Sequence, residues 1–153
     1  MSNQLKGVIE LALECVENVA ALVSHEKLKE VAKKFRSRAR EVPAYVFTHG
    51  FVYTITLLAA RSSKTLIEYG FTQSRTCSEV VTSVISQKGS LEELGYGLYG
   101  AVLIYIISKA GFSKSKNFEE LVKESLNNSI LDAKAKYTLE WIRRFAEAYI
   151  EAE

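Results

Sequence analysis

The stretch EKLKEVAKKFRSRAREVP, residues Glu26 to Pro43, determines how the rest of the chain is interpreted. Its apolar side chains recur at the spacing that places them on one face of an α-helix. That face consists of Leu28, Val31, Ala32, Phe35, Ala39 and Val42. Since the other sides are almost entirely basic, the stretch predicts an amphipathic helix with one buried and one cationic surface. Pro43 is expected to end or kink it, because proline lacks an N–H and crowds the preceding turn.

Helical patterns continue on both sides of this stretch. A first helix is predicted from about Gln4 to Val23, with Ser24 as the cap of the next one, and a third helix is predicted to reach about Ala60. Later helix starts are marked by a polar cap with an acid three residues on. These pairs are Thr76 with Glu79, Ser90 with Glu93, and Asn117 with Glu120.

The last predicted helix carries an apolar stripe. It comprises Ile130, Ala133, Tyr137, Trp141, Phe145, Ala148 and Ala152. A chain of 153 residues with 48% hydrophobic and 25% charged residues is long enough for one domain with its own core. The sequence therefore predicts an all-α fold, a compact bundle of six or seven helices in a single domain over residues 1–153.

Positive charge is concentrated in the opening stretch, although the net charge is only +2. On a helix its cations form two ridges, with Glu30 as the one acid between Lys27 and Arg40. The first ridge is Lys29, Lys33, Arg36 and Arg40, and the second is Lys27, Lys34 and Arg38. Solvated helix faces usually mix signs, so a nearly all-positive face favours a polyanionic partner such as a nucleic-acid backbone. Basic helices also bind acidic proteins and membrane surfaces.

Other motifs indicate no chemistry of their own. GYGLYG, residues 95–100, matches a dinucleotide fingerprint but follows a helical turn instead of a strand, so Gly97, Gly100 and Ala101 are expected to form a thin packing face. Cys15 and Cys77 are expected to be reduced, buried thiols, with a dyad of Cys77 and His49 left open. No cofactor or metal site is expected.

Localisation is expected to be cytoplasmic. The N-terminal stretch lacks the charged, apolar and small-residue regions of a secretory signal. The uncharged segment from Val42 to Ala60 approaches the length of a membrane span, but a polar stripe favours a buried helix. A protein spanning a membrane there and at Leu94 to Ser108 stays open as an alternative.

Two motifs resemble the small helical subunit of the Cmr complex, the type III-B CRISPR effector. One is KFRSRAREVPAYVFTHGFVYTITLLAA, in which Arg36, Ala39, Arg40, Pro43 and Gly50 match a basic run that leads into a glycine-containing helix. The other is WIRRFAEA, Trp141 to Ala148, which is similar to the closing signature of that family.

The resemblance implies a non-catalytic subunit that stacks with further copies of itself as a minor filament, against the Cmr backbone subunits. It also implies contact with the guide RNA and the target RNA. The expected phosphate contacts are Lys29, Lys33, Arg36, Arg38 and Arg40, with Arg143 and Arg144 as a second group. The alternatives are a helical protein–protein interaction module, docking through Gly97 and Ala101 or through the basic ridge, and an enzyme that depends on Cys77.

Overall fold

The computed structural model of the chain describes residues 3–71 and 75–153, and these residues form an all-α bundle. The α-helices are α1 (Asn3–Ala20), α2 (Glu26–His49), α3 (Phe51–Arg61), α4 (Lys64–Glu68), α5 (Cys77–Ile85), α6 (Leu91–Lys109), α7 (Phe118–Ser125) and α8 (Ser129–Tyr149). Short 3-10 helices cover Ala21–Ser24 and Tyr69–Phe71. The all-α prediction is confirmed. The described residues contain eight α-helices, where six or seven were predicted. The additional helix is the short α4, which starts where the Ser63 hydroxyl accepts a hydrogen bond from the Leu66 N–H.

Helix α6 forms the centre of the bundle. Every residue from Leu94 to Ile107 is buried, so this helix is apolar on all sides and requires neighbours on all sides. It packs against α2, α3, α4 and α5, and less extensively against α1 and α8. The remaining helices therefore surround α6, and α2 and α8 lie side by side on one surface of the bundle.

The glycines of GYGLYG lie within α6 and serve packing, as predicted. A Cβ on Gly97 would stand 2.7 Å from a methyl carbon of Leu66, and one on Gly100 would stand 2.6 Å from a methyl carbon of Ile67. Both distances are too short for real carbon contacts, so glycine is required where α4 crosses α6. The expectation that Gly97 and Ala101 dock a separate protein is wrong, because α4 already covers this face.

Helix α2 runs through Pro43, so the prediction that this proline ends the helix is wrong. Val42 and Val46 are buried on either side of it, and their burial offsets the lost backbone hydrogen bond. The helix ends instead at Gly50, whose φ of 89° favours glycine. The third helix accordingly begins at Phe51, where the backbone N–H donates to Asp132 of α8 at 3.1 Å.

The predicted helix starts are mostly confirmed. Thr76 with Glu79 and Ser90 with Glu93 form complete capping boxes, and the Asn117 side chain accepts from the Glu120 N–H. Ser24 does not cap α2. Its hydroxyl donates to the Ala21 carbonyl instead, and His25 holds the capping position without a side-chain hydrogen bond.

Helix α8 buries a different face from the predicted one. Its buried residues are Leu131, Ala135, Thr138, Leu139, Ile142 and Ala146. Ile130 is 67% exposed, and Tyr137, Trp141 and Phe145 are only partly buried. The smaller side chains face the core because they let α8 approach α1 and α2 closely, whereas the aromatic rings lie at the edge of that contact.

Cys15 and Cys77 form a disulfide with a Cα–Cα distance of 5.4 Å. The expectation of reduced thiols is therefore wrong, and so is the open possibility of a dyad with His49. The bond ties α1 to α5 across a separation of 62 residues, and both cysteines are fully buried. Spacing in sequence could not reveal the pair, because the cysteines come together only through packing.

One helix in residues 3–71 and 75–153 is long and apolar enough to cross a membrane, namely Leu91–Lys109. Within the fold 78% of its apolar window is buried, as in the core helix of a globular domain. The segment Val42 to Ala60, considered above as a span, is instead divided at Gly50 between α2 and α3.

Candidate nucleic-acid interface

The cations of α2 are divided between two flanks of the helix. Arg38 faces the N-terminal end of α6, whereas Arg36 and Arg40 face α8 and the residues that follow it. Lys29 and Lys33 lie on the α8 flank near the other end of α2. Lys34 contacts both sides, because it pairs with Glu92 of α6 at 3.6 Å and with Glu153 after α8 at 3.1 Å.

The α6 flank is a seam closed by ion pairs and a stacked ring. Arg38 pairs with Glu92 at 2.8 Å and with Glu41 at 3.3 Å, and its guanidinium lies 4.5 Å from the centre of the Tyr96 ring. Lys34 pairs with Glu92 at 3.6 Å. Only 12% of the Arg38 side chain is exposed, so its charge is directed into the fold. We call Lys34, Arg38, Glu41, Glu92 and Tyr96 the seam.

The α8 flank is a groove that collects basic residues from two helices. Arg36 and Arg40 of α2 and Arg143 of α8 line one part, a depression of about 390 Å³. Lys29 and Lys33 line a second depression of about 230 Å³ along the same helix. We call these five residues the basic groove. The structure thus brings together five of the seven predicted site residues, and it places Arg38 and Arg144 elsewhere.

Acidic residues balance part of the charge in the basic groove. Glu147 accepts from Arg143 at 2.8 Å and lies 4.0 Å from Arg40. The hydrogen bond from Arg143 lowers the pKa of Glu147, and the nearby charges of Arg40 and Arg36 lower it further. Glu30 lies 3.9 Å from Lys33. The pairs of Arg143 and Arg40 with Glu147 are partly exposed, so solvent screens them and they neutralise the two arginines only in part, whereas the Lys33 side chain is 19% exposed.

Arg36 has an unsatisfied donor in the groove. Its Nε is buried, and it has no hydrogen-bond partner within the described residues. A buried guanidinium N–H without an acceptor is costly, and a phosphate oxygen is an acceptor that suits its geometry. The Arg38 Nε is likewise buried without a partner in the described residues, so the groove is distinguished by its lining: Arg36, Arg40 and Arg143 surround one depression, where an anion can contact more than one guanidinium group.

The predicted pair Arg143 and Arg144 is split by the turn of α8. Arg143 faces the groove, whereas Arg144 is exposed and lies 5.0 Å from the centre of the Trp141 ring. Trp141 continues into a row of rings along the outer side of α8, with Phe145 at 5.6 Å and Tyr137 at 6.5 Å between ring centres. Consecutive basic residues diverge on a helix by about 100°, so they seldom share a site.

Tyr149 is a groove residue that the sequence analysis missed. Its ring is 52% exposed and lines the same depression as Lys29 and Lys33. The spacing of α2 alone could not predict an aromatic residue there, because Tyr149 comes from the last turn of α8. An exposed ring beside two lysines can stack on a base of a single-stranded nucleic acid.

His49 and Cys77 do not come together, since Cys77 is bonded to Cys15 and the His49 ring lies 4.5 Å from that of Tyr53. Within residues 3–71 and 75–153, no three His, Cys, Asp or Glu side chains are grouped so that they could hold a metal ion. In the described part of the chain, the basic groove is the place where five cations from two helices line neighbouring depressions.

Comparison with known proteins gives consistent matches. The sequence profile of the family described as CRISPR-associated protein (Cas_Cmr5) matches residues 5–149. The CRISPR system CMR subunit Cmr5 of Saccharolobus solfataricus is 30% identical over 135 residues, which cover 80% of this chain and 83% of the relative.

The fold is also similar to that of solved structures. A chain of the type III-B Cmr-beta complex bound to non-cognate target RNA superposes with a TM-score of 0.70 and 24% identity, covering 100% of this chain and 99% of the other. A chain of the same complex bound to cognate target RNA and AMPPnP gives a TM-score of 0.68 at 24% identity, covering 97% and 99%. At this identity the likeness establishes the fold. The family profile over residues 5–149 and the relative at 30% identity show that the chain belongs to the Cas_Cmr5 family, the family of the Cmr small subunit that its sequence motifs resemble.

Proposed function

We propose that this chain is a non-catalytic small subunit of a type III-B Cmr ribonucleoprotein, and that its basic groove holds the sugar–phosphate backbone of the guide or target RNA. The observation that carries the proposal is the convergence of Lys29, Lys33, Arg36 and Arg40 from α2 with Arg143 from α8. Phosphate contacts supply most of the affinity in sequence-independent nucleic-acid binding.

Family membership supports the partners in this proposal. The solved complexes of similar fold are Cmr particles bound to target RNA. The partners we propose are the Cmr backbone and other effector subunits, the guide and target RNAs, and further copies of this chain in a minor filament. We propose that the assembly is located in the cytoplasm. A row of copies would add weak contacts along one RNA, because each contact raises the effective concentration of the next.

The roles of the predicted cations differ within the proposal. Arg36, Arg40 and Arg143 are the central phosphate contacts, with Lys29 and Lys33 extending the path toward Tyr149. Arg144 remains a predicted contact on the outer side of α8, beside Trp141. Arg38 also remains a predicted contact, but its ion pairs with Glu41 and Glu92 would have to open for it to reach an RNA.

A reconstitution tests the proposal in two steps. The chain is mixed with Cmr backbone subunits, guide RNA and complementary target RNA, and size exclusion reports whether it elutes with the particle in stoichiometric amount. The double variant Arg36→Glu/Arg40→Glu is then compared with the wild type for capture of labelled target. We expect entry into the particle for both proteins and at least about tenfold weaker capture by the variant.

A matched control separates the groove from a general effect of charge. Lys6→Glu/Lys116→Glu changes the net charge by the same amount at exposed positions on α1 and on the loop before α7. It should capture target like the wild type. Exclusion of the wild-type chain from the particle would contradict the subunit role, and equal capture by the groove variant and the control would remove the groove from the RNA path.

Protein docking without nucleic-acid contact is the second candidate function. It is favoured by large apolar side chains that remain exposed, namely Phe47 at 76% and Ile130 at 67%. Neither residue lies in the basic groove. If this candidate is correct, Phe47→Ser/Ile130→Ser prevents entry into the particle, and Arg36→Glu/Arg40→Glu changes neither entry nor target capture.

A further inference from the structure

The basic groove already has an occupant in this structure, the segment that follows α8. Helix α8 ends at Tyr149, and Ile150 takes an extended conformation and is buried. Residues Glu151, Ala152 and Glu153 then lie against α2. Glu151 lines the depression that contains Lys29 and Lys33, and Ala152 and Glu153 line the one that contains Arg36, Arg40 and Arg143. We call residues 151–153 the acidic segment.

Glu153 is held by specific contacts. One carboxylate oxygen accepts from the Ser37 hydroxyl at 2.5 Å, and the other accepts from the Lys34 ammonium at 3.1 Å. The hydrogen bond from Ser37 lowers the pKa of Glu153, and the hydrogen bond and charge of Lys34 lower it further. The ionised carboxylate is held by Lys34 and Ser37 at the edge of the basic groove, where Ser37 and Glu153 line the same depression as Arg36, Arg40 and Arg143.

The same contacts are weak enough to exchange. The Glu153 side chain is 38% exposed, and that of Lys34 is 25% exposed, so water and salt screen their attraction. A carboxylate and a phosphate compete for the same donors, and RNA presents several phosphates in a row. Ile150 is buried and anchors one end of the segment, so a displaced segment would remain close to the groove.

We propose that the acidic segment Glu151–Glu153 is a built-in anionic competitor, which covers the basic groove in the free subunit and is displaced by RNA phosphates. This inference rests on the proposed function and adds its regulation. A subunit with a covered groove binds stray RNA poorly. In an assembled particle, the high local concentration of the correct RNA overcomes the competitor.

Two charge-removing variants test the competitor. Glu151→Gln/Glu153→Gln keeps the shape of both side chains and removes both negative charges. Binding of the isolated chain to a fluorescein-labelled oligouridine is followed by anisotropy at low salt. We expect the variant to bind about 3- to 10-fold more tightly than the wild type, because it loses the Lys34–Glu153 ion pair and the negative charge of Glu151 beside Lys29 and Lys33. The matched control Glu10→Gln/Glu17→Gln changes the net charge equally at exposed positions of α1 and should bind less tightly than the groove variant.

A second measurement follows the segment itself. A fluorine label on Ala152→Cys can be placed selectively, since Cys15 and Cys77 are bonded to each other. In the free chain, the fluorine NMR line of the label should be broad and shifted from the position of a solvent-exposed label. The line should narrow when oligouridine is added. Ser37→Ala removes the hydrogen bond to Glu153 without changing the net charge, so it should narrow the line before any RNA is added.

The two proposals fail differently. If Arg36→Glu/Arg40→Glu binds oligouridine as well as the wild type, the groove is not an RNA site and the proposed function falls. If that variant loses affinity but Glu151→Gln/Glu153→Gln gains none and the label stays broad with RNA, the segment is a permanent brace and only the inference is overturned. If neither the wild type nor Glu151→Gln/Glu153→Gln binds oligouridine detectably, the inference is also overturned. Removing the competitor should raise the affinity into the range that the anisotropy measurement detects.

Discussion

The two flanks of α2 carry similar cations from one short stretch of sequence, yet the fold uses them differently. On the α6 flank, Arg38 is enclosed by Glu41, Glu92 and the Tyr96 ring. On the α8 flank, the Arg40 and Arg143 side chains are 56% and 42% exposed, and they share the partly exposed Glu147. The difference teaches that a run of positive charge in a sequence is not one binding surface. Its function depends on what packs against each side of the helix.

Removing the disulfide should destabilise the fold without changing any residue on either flank of α2. Cys15→Ala/Cys77→Ala removes a cross-link over a separation of 62 residues, for which chain entropy predicts a loss of about 4 kcal/mol. Chemical denaturation of the oxidised protein and the variant measures the change. The variant should still bind RNA in proportion to its folded fraction. If the fully folded variant lost RNA affinity, the disulfide would be coupled to the groove. That result would weaken the comparison between the two flanks of α2.

The next largest effect is expected where α6 meets the seam. Gly95 lies so close to α2 that a Cβ there would stand 2.5 Å from the Cβ of Lys34. Gly95→Ala should force the two helices apart and lower the free energy of unfolding by about 1–3 kcal/mol. Gly7→Ala in α1 is the matched control, because nothing lies within 4 Å of its added Cβ, and it should be neutral or stabilising by up to about 1 kcal/mol. Equal effects of the two substitutions would show that close packing at the seam is not required.

A smaller loss of stability is expected from the seam arginine itself. Arg38→Gln keeps some hydrogen bonding but removes the charge that Glu41 and Glu92 share and the stacking on Tyr96. We expect a loss of about 1–2 kcal/mol in thermal or chemical unfolding. Arg40→Gln is the control on the other flank. It is more exposed, its one ion pair measures 4.0 Å, and it should change stability by less than about 0.5 kcal/mol. The reverse ranking would contradict the assignment of seam and groove.

Local features of the fold could be predicted from sequence, and features that depend on distant packing could not. The capping residues Thr76, Ser90 and Asn117 act within one helical turn, so their spacing was sufficient. The continuity of α2 through Pro43 depends on the burial of its neighbours. The buried face of α8 was missed because its aromatic residues look more core-like than the small residues that allow close packing.

The candidate site shows the same limit. The cations of α2 were visible in sequence, but their partners are remote, since Glu92 is 54 residues from Arg38 and Glu153 is 119 residues from Lys34. Helical spacing correctly separated Arg36 and Arg40 from Arg38, although Lys34 contacts both α6 and the segment after α8. It could not show which ridge would be closed by α6, nor that Arg143 and Tyr149 would join the other.

The most direct test of the account is the salt dependence of RNA binding for matched pairs of neutralised cations. Arg36→Gln/Arg40→Gln removes two groove charges, and Lys6→Gln/Lys116→Gln removes two exposed charges that lie in neither the seam nor the groove. Target-RNA affinity of reconstituted particles is measured across a salt series, with folding verified for each variant. We predict that the groove pair flattens the slope of log affinity against log salt by about 1.4, at about 0.7 for each lost phosphate contact, while the control pair leaves it unchanged. Equal slopes for the two pairs, or a flatter slope for the control pair alone, would contradict the assignment of the groove to RNA.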